Sequence, residues 1–301
     1  MNKNPLFGKI ALIGAGLIGS SIARIVRREN LAGKLYVCVQ SENTKKIVSE
    51  LNLADFVTDN PAIVVADADL IIICTPLSAY AEIAKRISGS LKSGSIVSDV
   101  GSVKQVTMEA FLPHLPPRVH LVPGHPIAGT ENSGPESGFD TLFEDRWVVL
   151  TPPKGTNKRA IEKVSQFWEV LGSKIEIMDA EHHDQVLAIT SHVPHLIAYT
   201  IVGTATDLEE RLKSEVIKFS ASGFRDFTRI AASDPVMWRD IFLNNKEAVL
   251  EMLGRLTEDL SKLQRAIRDG DGEILQSLFE RTREIRRGVV EAGQHIPPKP
   301  P

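Results

Sequence analysis

Residues 10–28 constrain this chain more than any other stretch. Ile10–Ile13 is a short apolar run, Gly14-Ala15-Gly16-Leu17-Ile18-Gly19 comes directly after it, and a helical pattern continues to about Arg28. In such a strand–turn–helix the first glycine permits the tight turn and the second lets backbone approach a pyrophosphate. The third lets the helix pack close against the strand. The helix start adds free N–H groups and the positive end of its dipole. Gly14, Gly16, Leu17, Ile18 and Gly19 are therefore read as a dinucleotide site.

The residues beyond Arg28 agree with that start. Short apolar runs alternate with helical patterns, the signature of βαβ units and a parallel sheet. Strands are expected at Leu35–Val39, Leu70–Cys74, Ser95–Ser98, Val119–Val122, Trp147–Leu150 and Lys174–Met178, with helices at Thr44–Leu51, Tyr80–Ile87 and Lys158–Leu171. Pro123–Gly138 reads as a Gly/Pro-rich loop. From about Glu181 long helical patterns take over: Asp184–Leu212, Pro235–Asp269 with a break near its start, and Glu273–Ala292. The last nine residues, Gly293–Pro301, are proline-rich and read as a frayed tail. The expected fold is α/β, a Rossmann-type doubly wound parallel sheet over 1–179, followed by an all-helical domain for substrate and dimerisation over 180–301.

At 301 residues the chain suits two domains. A net charge of −3 gives no electrostatic reason to expect nucleic acid or an anionic membrane as partner. An anionic substrate would need local cations. Cys38 and Cys74 each lie in an apolar run, which predicts buried reduced thiols. Metal-ligand spacing is absent, the first residues lack the build of a signal peptide, and the apolar runs are too short to span a bilayer. A cytoplasmic protein without a metal is expected.

At the end of the second strand, where an acidic residue usually holds the adenosine ribose, stand Gln40-Ser41-Glu42. Gln40 can hydrogen-bond a hydroxyl but does not repel a 2′-phosphate, and Lys45 and Lys46 are close enough to meet one. NAD is the first expectation, with NADP or dual use open. Thr75-Pro76, ending the buried Leu70–Cys74 run, is a second cofactor-side segment.

Three further segments concentrate polar groups. Asp99-Val100-Gly101-Ser102-Val103-Lys104 closes a strand at the edge where open α/β sheets bind ligands. His125-Pro126-Ile127-Ala128-Gly129-Thr130-Glu131 lies in the next loop. Ser222 to Arg229 precedes Asp234-Pro235-Val236-Met237-Trp238-Arg239-Asp240 in the helical half. With the glycine turn and the Ser191-His192-Val193-Pro194-His195 segment, these motifs resemble the prephenate/arogenate (cyclohexadienyl) dehydrogenase family over most of the chain. The resemblance implies oxidation of prephenate or arogenate with nicotinamide, and a homodimer formed through the helical domain. It implies His125 as the catalytic histidine and Ser102 as its support. His195 and Arg229 match substrate-binding positions, and Thr130, Glu131 and Asp226 belong to the polar surroundings of the site. Met237 and Trp238 match a pair reaching the neighbouring subunit. Tyrosine, which shares the product's ring, is an expected feedback ligand.

The residues suit that chemistry on their own terms. Neutral imidazole is the natural base near pH 7, and a guanidinium can grip a carboxylate through two parallel bonds. His182 and His183, at a helix start, are expected to be exposed. A 3-hydroxyacid dehydrogenase would need a lysine base early in the helical half, and Glu181–Leu212 contains none. A binding module that had lost its chemistry would not need Ser102, His125, His195 and Arg229 together.

Overall fold

The computed structural model describes residues 4–206, 215, 218 and 221–291. The end of the expected helix at 207–212 and the tail at 293–301 lie outside the described residues.

The first half runs β1 (Phe7–Ile13), α1 (Leu17–Arg28), β2 (Ala32–Cys38), α2 (Glu42–Glu50), β3 (Phe56–Thr58), α3 (Pro61–Val65), β4 (Leu70–Ile73), α4 (Tyr80–Ile87), β5 (Ile96–Asp99), α5 (Gln105–Phe111) and β6 (His120–Leu121). The strands form one sheet in the order β3-β2-β1-β4-β5-β6, and every pairing is parallel. This is the expected doubly wound sheet, and its order reverses between β1 and β4, where such sheets bind ligands.

Alternation along the central strands feeds a core on each face. Ile10 and Leu12 of β1 and Leu70 and Ile72 of β4 pack on one side with Ile22 and Val26 of α1. Ala11, Ile13, Ile71 and Ile73 point to the other side, against Val64, Tyr80, Ile83 and Phe111. A strand buried on both faces reads as a continuous apolar run, which is why Leu70–Ile73 stands out in the sequence. The thiols follow suit: Cys38 is buried and Cys74 half-buried, both free.

The chain then departs from the expected single sheet. Gly124–Pro126, expected as loop, is a short strand (β7) paired antiparallel with β8 (Trp147–Leu150), and β8 pairs in parallel with β9 (Lys174–Ile177). These strands make a separate three-stranded sheet, backed by α6 (Lys158–Val170). A three-residue strand centred on histidine and ending in proline carries no alternation, so pattern alone does not reveal it.

The helical half begins with α7 (Ala180–Leu187), a π turn (Ala188–His192) and α8 (Val193–Thr206). By length and composition Ala180–Ala205 could cross a bilayer, contrary to the expectation from shorter apolar runs. The reason is that two helices and the turn between them run together. Pro194 sits just past the π turn, in the first turn of α8, where a missing N–H is tolerated. Next come α9 (Ser222–Thr228), α10 (Pro235–Asn244), α11 (Lys246–Asp269) and α12 (Gly272–Glu291). The expected break falls at Asn245, whose φ of −112° and ψ of 31° interrupt the helix. Trp238 and Ile241 of α10 join the core that holds Leu77 and Tyr80, so the two halves share one apolar seam.

Candidate active site

The glycine turn has the geometry its spacing predicts. Gly14 has a φ of +101°, and a Cβ there would stand 2.5 Å from the Cys74 carbonyl oxygen. A Cβ on Gly19 would stand 2.4 Å from the Gly14 carbonyl oxygen, so α1 can approach only if that side chain is absent. A Cβ on Gly16 would meet nothing within 4 Å, because this glycine faces open space. That space is a cleft of about 440 Å³ lined by Gly14, Gly16, Gln40, Thr75, Arg86 and Gly134, among others. Gly16 caps α1 without a side-chain hydrogen bond, leaving the first-turn N–H groups for an anion. The buried Thr75 Oγ1 also has no partner among the described residues. These features fit a dinucleotide. Leu17 and Ile18 form the first turn of α1; neither they nor the exposed Pro76 line the cleft.

Beyond the ends of β4 and β5 lies a buried network that the sequence pattern does not announce. The Asp99 carboxylate and the Lys104 ammonium are both fully enclosed and 2.5 Å apart. Asp99 Oδ2 also accepts from Tyr80 Oη (2.9 Å), Thr107 Oγ1 (3.1 Å) and the Gly101 N–H (2.9 Å). Burial pushes the Lys104 ammonium below its usual range, and Asp99 opposes that shift. The pair grips the backbone next to His125: Gly124 N–H donates to Asp99 Oδ1 at 3.2 Å, and Lys104 Nζ donates to Gly124 O at 2.6 Å.

His125 is thereby fixed at the C-terminal edge of the sheet, on the strand after β6, and is only 8% exposed. β5, whose end holds Gly124, is two strands from the glycine turn on β1, a span of about 10 Å. His125 Nδ1 lies 2.9 Å from His183 Nε2, and His183 Nδ1 lies 2.7 Å from Asp184 Oδ1. Asp184 also accepts the N–H groups of Lys104 (2.8 Å) and Gln105 (2.9 Å) at the start of α5. The carboxylate can only accept, so His183 Nδ1 carries the proton toward it and His183 Nε2 is left as an acceptor. His125 must then donate from Nδ1, and its Nε2 keeps a lone pair. Burial, with His183 and Lys104 nearby, holds the His125 imidazole well below its ordinary range. A neutral ring with a bare Nε2 is what a general base requires.

The expectation that His182 and His183 are both exposed is corrected here. His182 is exposed, but His183 is fully enclosed, because the buried face of α7 carries His183 and Asp184 one turn before Leu187 and Ala188. Ser102 lies half-buried in the β5–α5 loop and makes no hydrogen bond among the described residues; the Nδ1 partner of His125 is His183.

On the helical side, His195 Nδ1 faces Ser191 O at 2.8 Å, and its ring stacks on Trp238 with centroids 3.6 Å apart. The carbonyl fixes the proton on Nδ1, which leaves Nε2 as an acceptor. Trp238 is thus buried in its own chain, and of the Met237–Trp238 pair only Met237, 40% exposed, offers surface. Arg229 reaches across to Glu131 at 3.3 Å, joining the turn after α9 to the loop after β7, with both groups solvated. Asp226 pairs with Arg225 instead, at 3.4 Å on an exposed face. Thr130 Oγ1 accepts the Asn132 N–H and shapes the same loop. Among the described residues no cluster could hold a metal ion.

Asn245, at the helix break, donates to Asp184 O (2.8 Å) and lies 3.0 Å from His192 Nδ1. His192 is enclosed, its Nε2 has no partner among the described residues, and burial lowers its pKa to about 4. An unfolded histidine takes up its proton near 6.5, so below that pH the unfolded chain binds more protons. Stability present above pH 6.5 is lost as pH falls toward 4. Between pH 7 and pH 5 His192 alone should cost about 2 kcal/mol. Urea midpoints at the two pH values measure this, and equal midpoints would refute it.

Comparison with known proteins identifies the family. The family model for the prephenate dehydrogenase nucleotide-binding domain matches residues 22–177, and that for the prephenate dehydrogenase dimerization domain matches residues 179–281. This chain belongs to the prephenate dehydrogenase family. The cyclohexadienyl dehydrogenase of Zymomonas mobilis is 41% identical over 93% of this chain and 96% of its own length. The prephenate dehydrogenase of Bacillus subtilis is 33% identical over 95% of this chain and 77% of its own. A crystal structure of prephenate dehydrogenase from A. aeolicus, in complex with hydroxyphenyl propionate and NAD+, superposes with a TM-score of 0.85 at 34% identity. It covers 96% of this chain and 99% of that one.

Proposed function

We propose that this family member catalyses the NAD-dependent oxidative decarboxylation of prephenate to 4-hydroxyphenylpyruvate, which feeds tyrosine formation. The observation that carries the reading is the His125–His183–Asp184 chain, which leaves a lone pair on His125 Nε2 at the C-terminal edge of the sheet that carries the glycine turn. The named relatives and the NAD+ bound by the A. aeolicus enzyme support the same substrate class and cofactor.

When bound, nicotinamide accepts a hydride from C4 of the substrate ring. His125 Nε2 takes the proton of the C4 hydroxyl as its oxygen becomes a carbonyl. The ring carboxylate then leaves as CO₂, its bonding electrons pass through the ring to that oxygen, and His125 returns the proton to form the phenol. Aromatisation drives the loss. Ser102, with no hydrogen-bond partner among the described residues, is proposed to meet the substrate hydroxyl. His195 Nε2 is an acceptor toward the substrate, while Thr130 and Asp226 shape the entrance.

Arg229 is proposed as the clamp on a substrate carboxylate, a role for which the Glu131 carboxylate stands in between turnovers. Closing substrate over this pair would desolvate it. Arg229→Ala should then raise KM about 30-fold or more, the lower end of the 2–5 kcal/mol lost when a desolvated carboxylate is left unpaired, with kcat changing much less. An unchanged KM in steady-state kinetics would return Arg229 to the role of a surface ion pair.

Leu250, Leu260, Ile267, Ile274, Phe279 and Ile285 of α11 and α12 are all more than half exposed. We propose that a second copy of the chain covers them, as the name of the matching dimerization-domain model suggests. Tyrosine is proposed to compete at the substrate site, since it shares the product's ring. The function is tested by following NADH absorbance with prephenate and with arogenate, each against NAD+ and NADP+. Prephenate with NAD+ should be turned over best. Turnover of arogenate alone would replace the substrate assignment, and no turnover of either would end it.

A further inference from the structure

The adenosine end of the cleft lacks the acidic residue that usually holds the ribose, yet the nearby lysines are not free. Lys45 Nζ lies 2.6 Å from Glu42 Oε1 and 3.4 Å from Asp59 Oδ2, at only 20% side-chain exposure. Lys46 points to Glu50 at 3.7 Å. Gln40, at the end of β2, donates its amide nitrogen to the Asp59 carbonyl at 3.0 Å. That bond leaves the Gln40 Oε1 as an acceptor. An acceptor suits a ribose hydroxyl, which can donate, and opposes a 2′-phosphate, whose ionised oxygens can only accept. The cleft wall opposite carries Glu82 and, one turn later, Arg86. An added phosphate would bring about −1.5 to −2 charges, as phosphate monoesters do at pH 7, to an end of the cleft where Lys45 is already paired with Glu42 and Asp59.

We propose that Asp59 and Glu42 are the cofactor-specificity residues of this chain: by holding Lys45 they exclude a 2′-phosphate and make the site selective for NAD over NADP. Asp59 acts twice, through its carboxylate on Lys45 and its carbonyl on Gln40. It lies at the end of β3, one strand beyond the usual acidic position, so the residues at the β2 end alone leave the preference open. Lys45 accordingly holds the Asp59 carboxyl below its ordinary range. The proposal rests on the dinucleotide reading of the glycine cleft, and binding measurements separate the two.

Isothermal titration of NAD+ and NADP+ into the full chain, without substrate, is the test. The native chain should bind NAD+ at least tenfold tighter than NADP+. The double variant Glu42→Gln/Asp59→Asn should bind NADP+ about tenfold tighter than the native chain does, the worth of one freed charge-assisted bond, with NAD+ affinity within twofold. That unchanged NAD+ affinity also shows the variant is folded. Adding Lys45→Gln should abolish the gain. Equal native affinities, a native preference for NADP+, an unchanged double variant, or a gain that survives loss of Lys45 would each overturn the assignment. Failure of the native chain to bind either dinucleotide would remove the cofactor reading and this inference with it.

Discussion

His125→Asn is expected to lower kcat by ~10²–10⁴, the usual contribution of a well-placed general base, while the KM for substrate moves much less. Asparagine can still donate to His183 and fill the space beside Gly124, so the network survives and only the proton acceptor is lost. Because burial holds the imidazole well below its ordinary range, it stays neutral as pH falls through 6.5. Native kcat/KM should accordingly show no loss at pH 6 from protonation of this base, and should decline only under more acidic conditions. A variant with near-native kcat would remove His125 from the role. A native profile that halves at pH 6.5 would show that the proton acceptor is some other, more solvated group.

The second large effect is on stability. Asp99→Asn keeps the shape of the residue but leaves the Lys104 ammonium enclosed at 0% exposure without its counter-charge. Breaking a buried pair in this way costs about 3–5 kcal/mol. The loss should appear as a lowered urea midpoint, accompanied by a fall in kcat because Asp99 and Lys104 hold the backbone on either side of the Gly124 peptide. Asp99→Asn/Lys104→Met should recover part of the stability, since no unpaired charge then remains, but not the activity. A single variant within 1 kcal/mol of native would mean that water or a neighbouring group solvates Lys104, and that the pair does not anchor the site.

Much of this fold is legible in the residues themselves. The glycine turn, the continuous apolar strands and the histidine before Pro126 each follow from a local physical requirement. The polar interior is not legible in the same way. Asp99 and Lys104 stand out as a polar strand end, but ion pairing across five residues of loop leaves no periodic trace. A histidine pair at a helix start suggests solvent, and for His183 that suggestion fails. The contrary signal is nonetheless present: Leu187 and Ala188 continue the same helix face one turn later, and that stripe places 183 and 184 inside. Trp238 differs for the opposite reason. Resemblance to an intersubunit position draws it outward, whereas stacking on His195 draws it in. Asn245 is legible only as an interruption of a helix, and its two hydrogen bonds explain why the interruption is kept.

The imidazole and the groups that set its tautomer come from opposite sides of the apolar seam. His125 rides on a strand of the first half, His183 and Asp184 on the first helix of the second, and Asp184 is fastened back to the start of α5. A hinge motion that parts the halves by the length of one hydrogen bond would disengage the ring and leave it free to turn over. If His125 is the base proposed above, docking of the halves and arming of the proton acceptor are one event, and an open conformation would be catalytically silent.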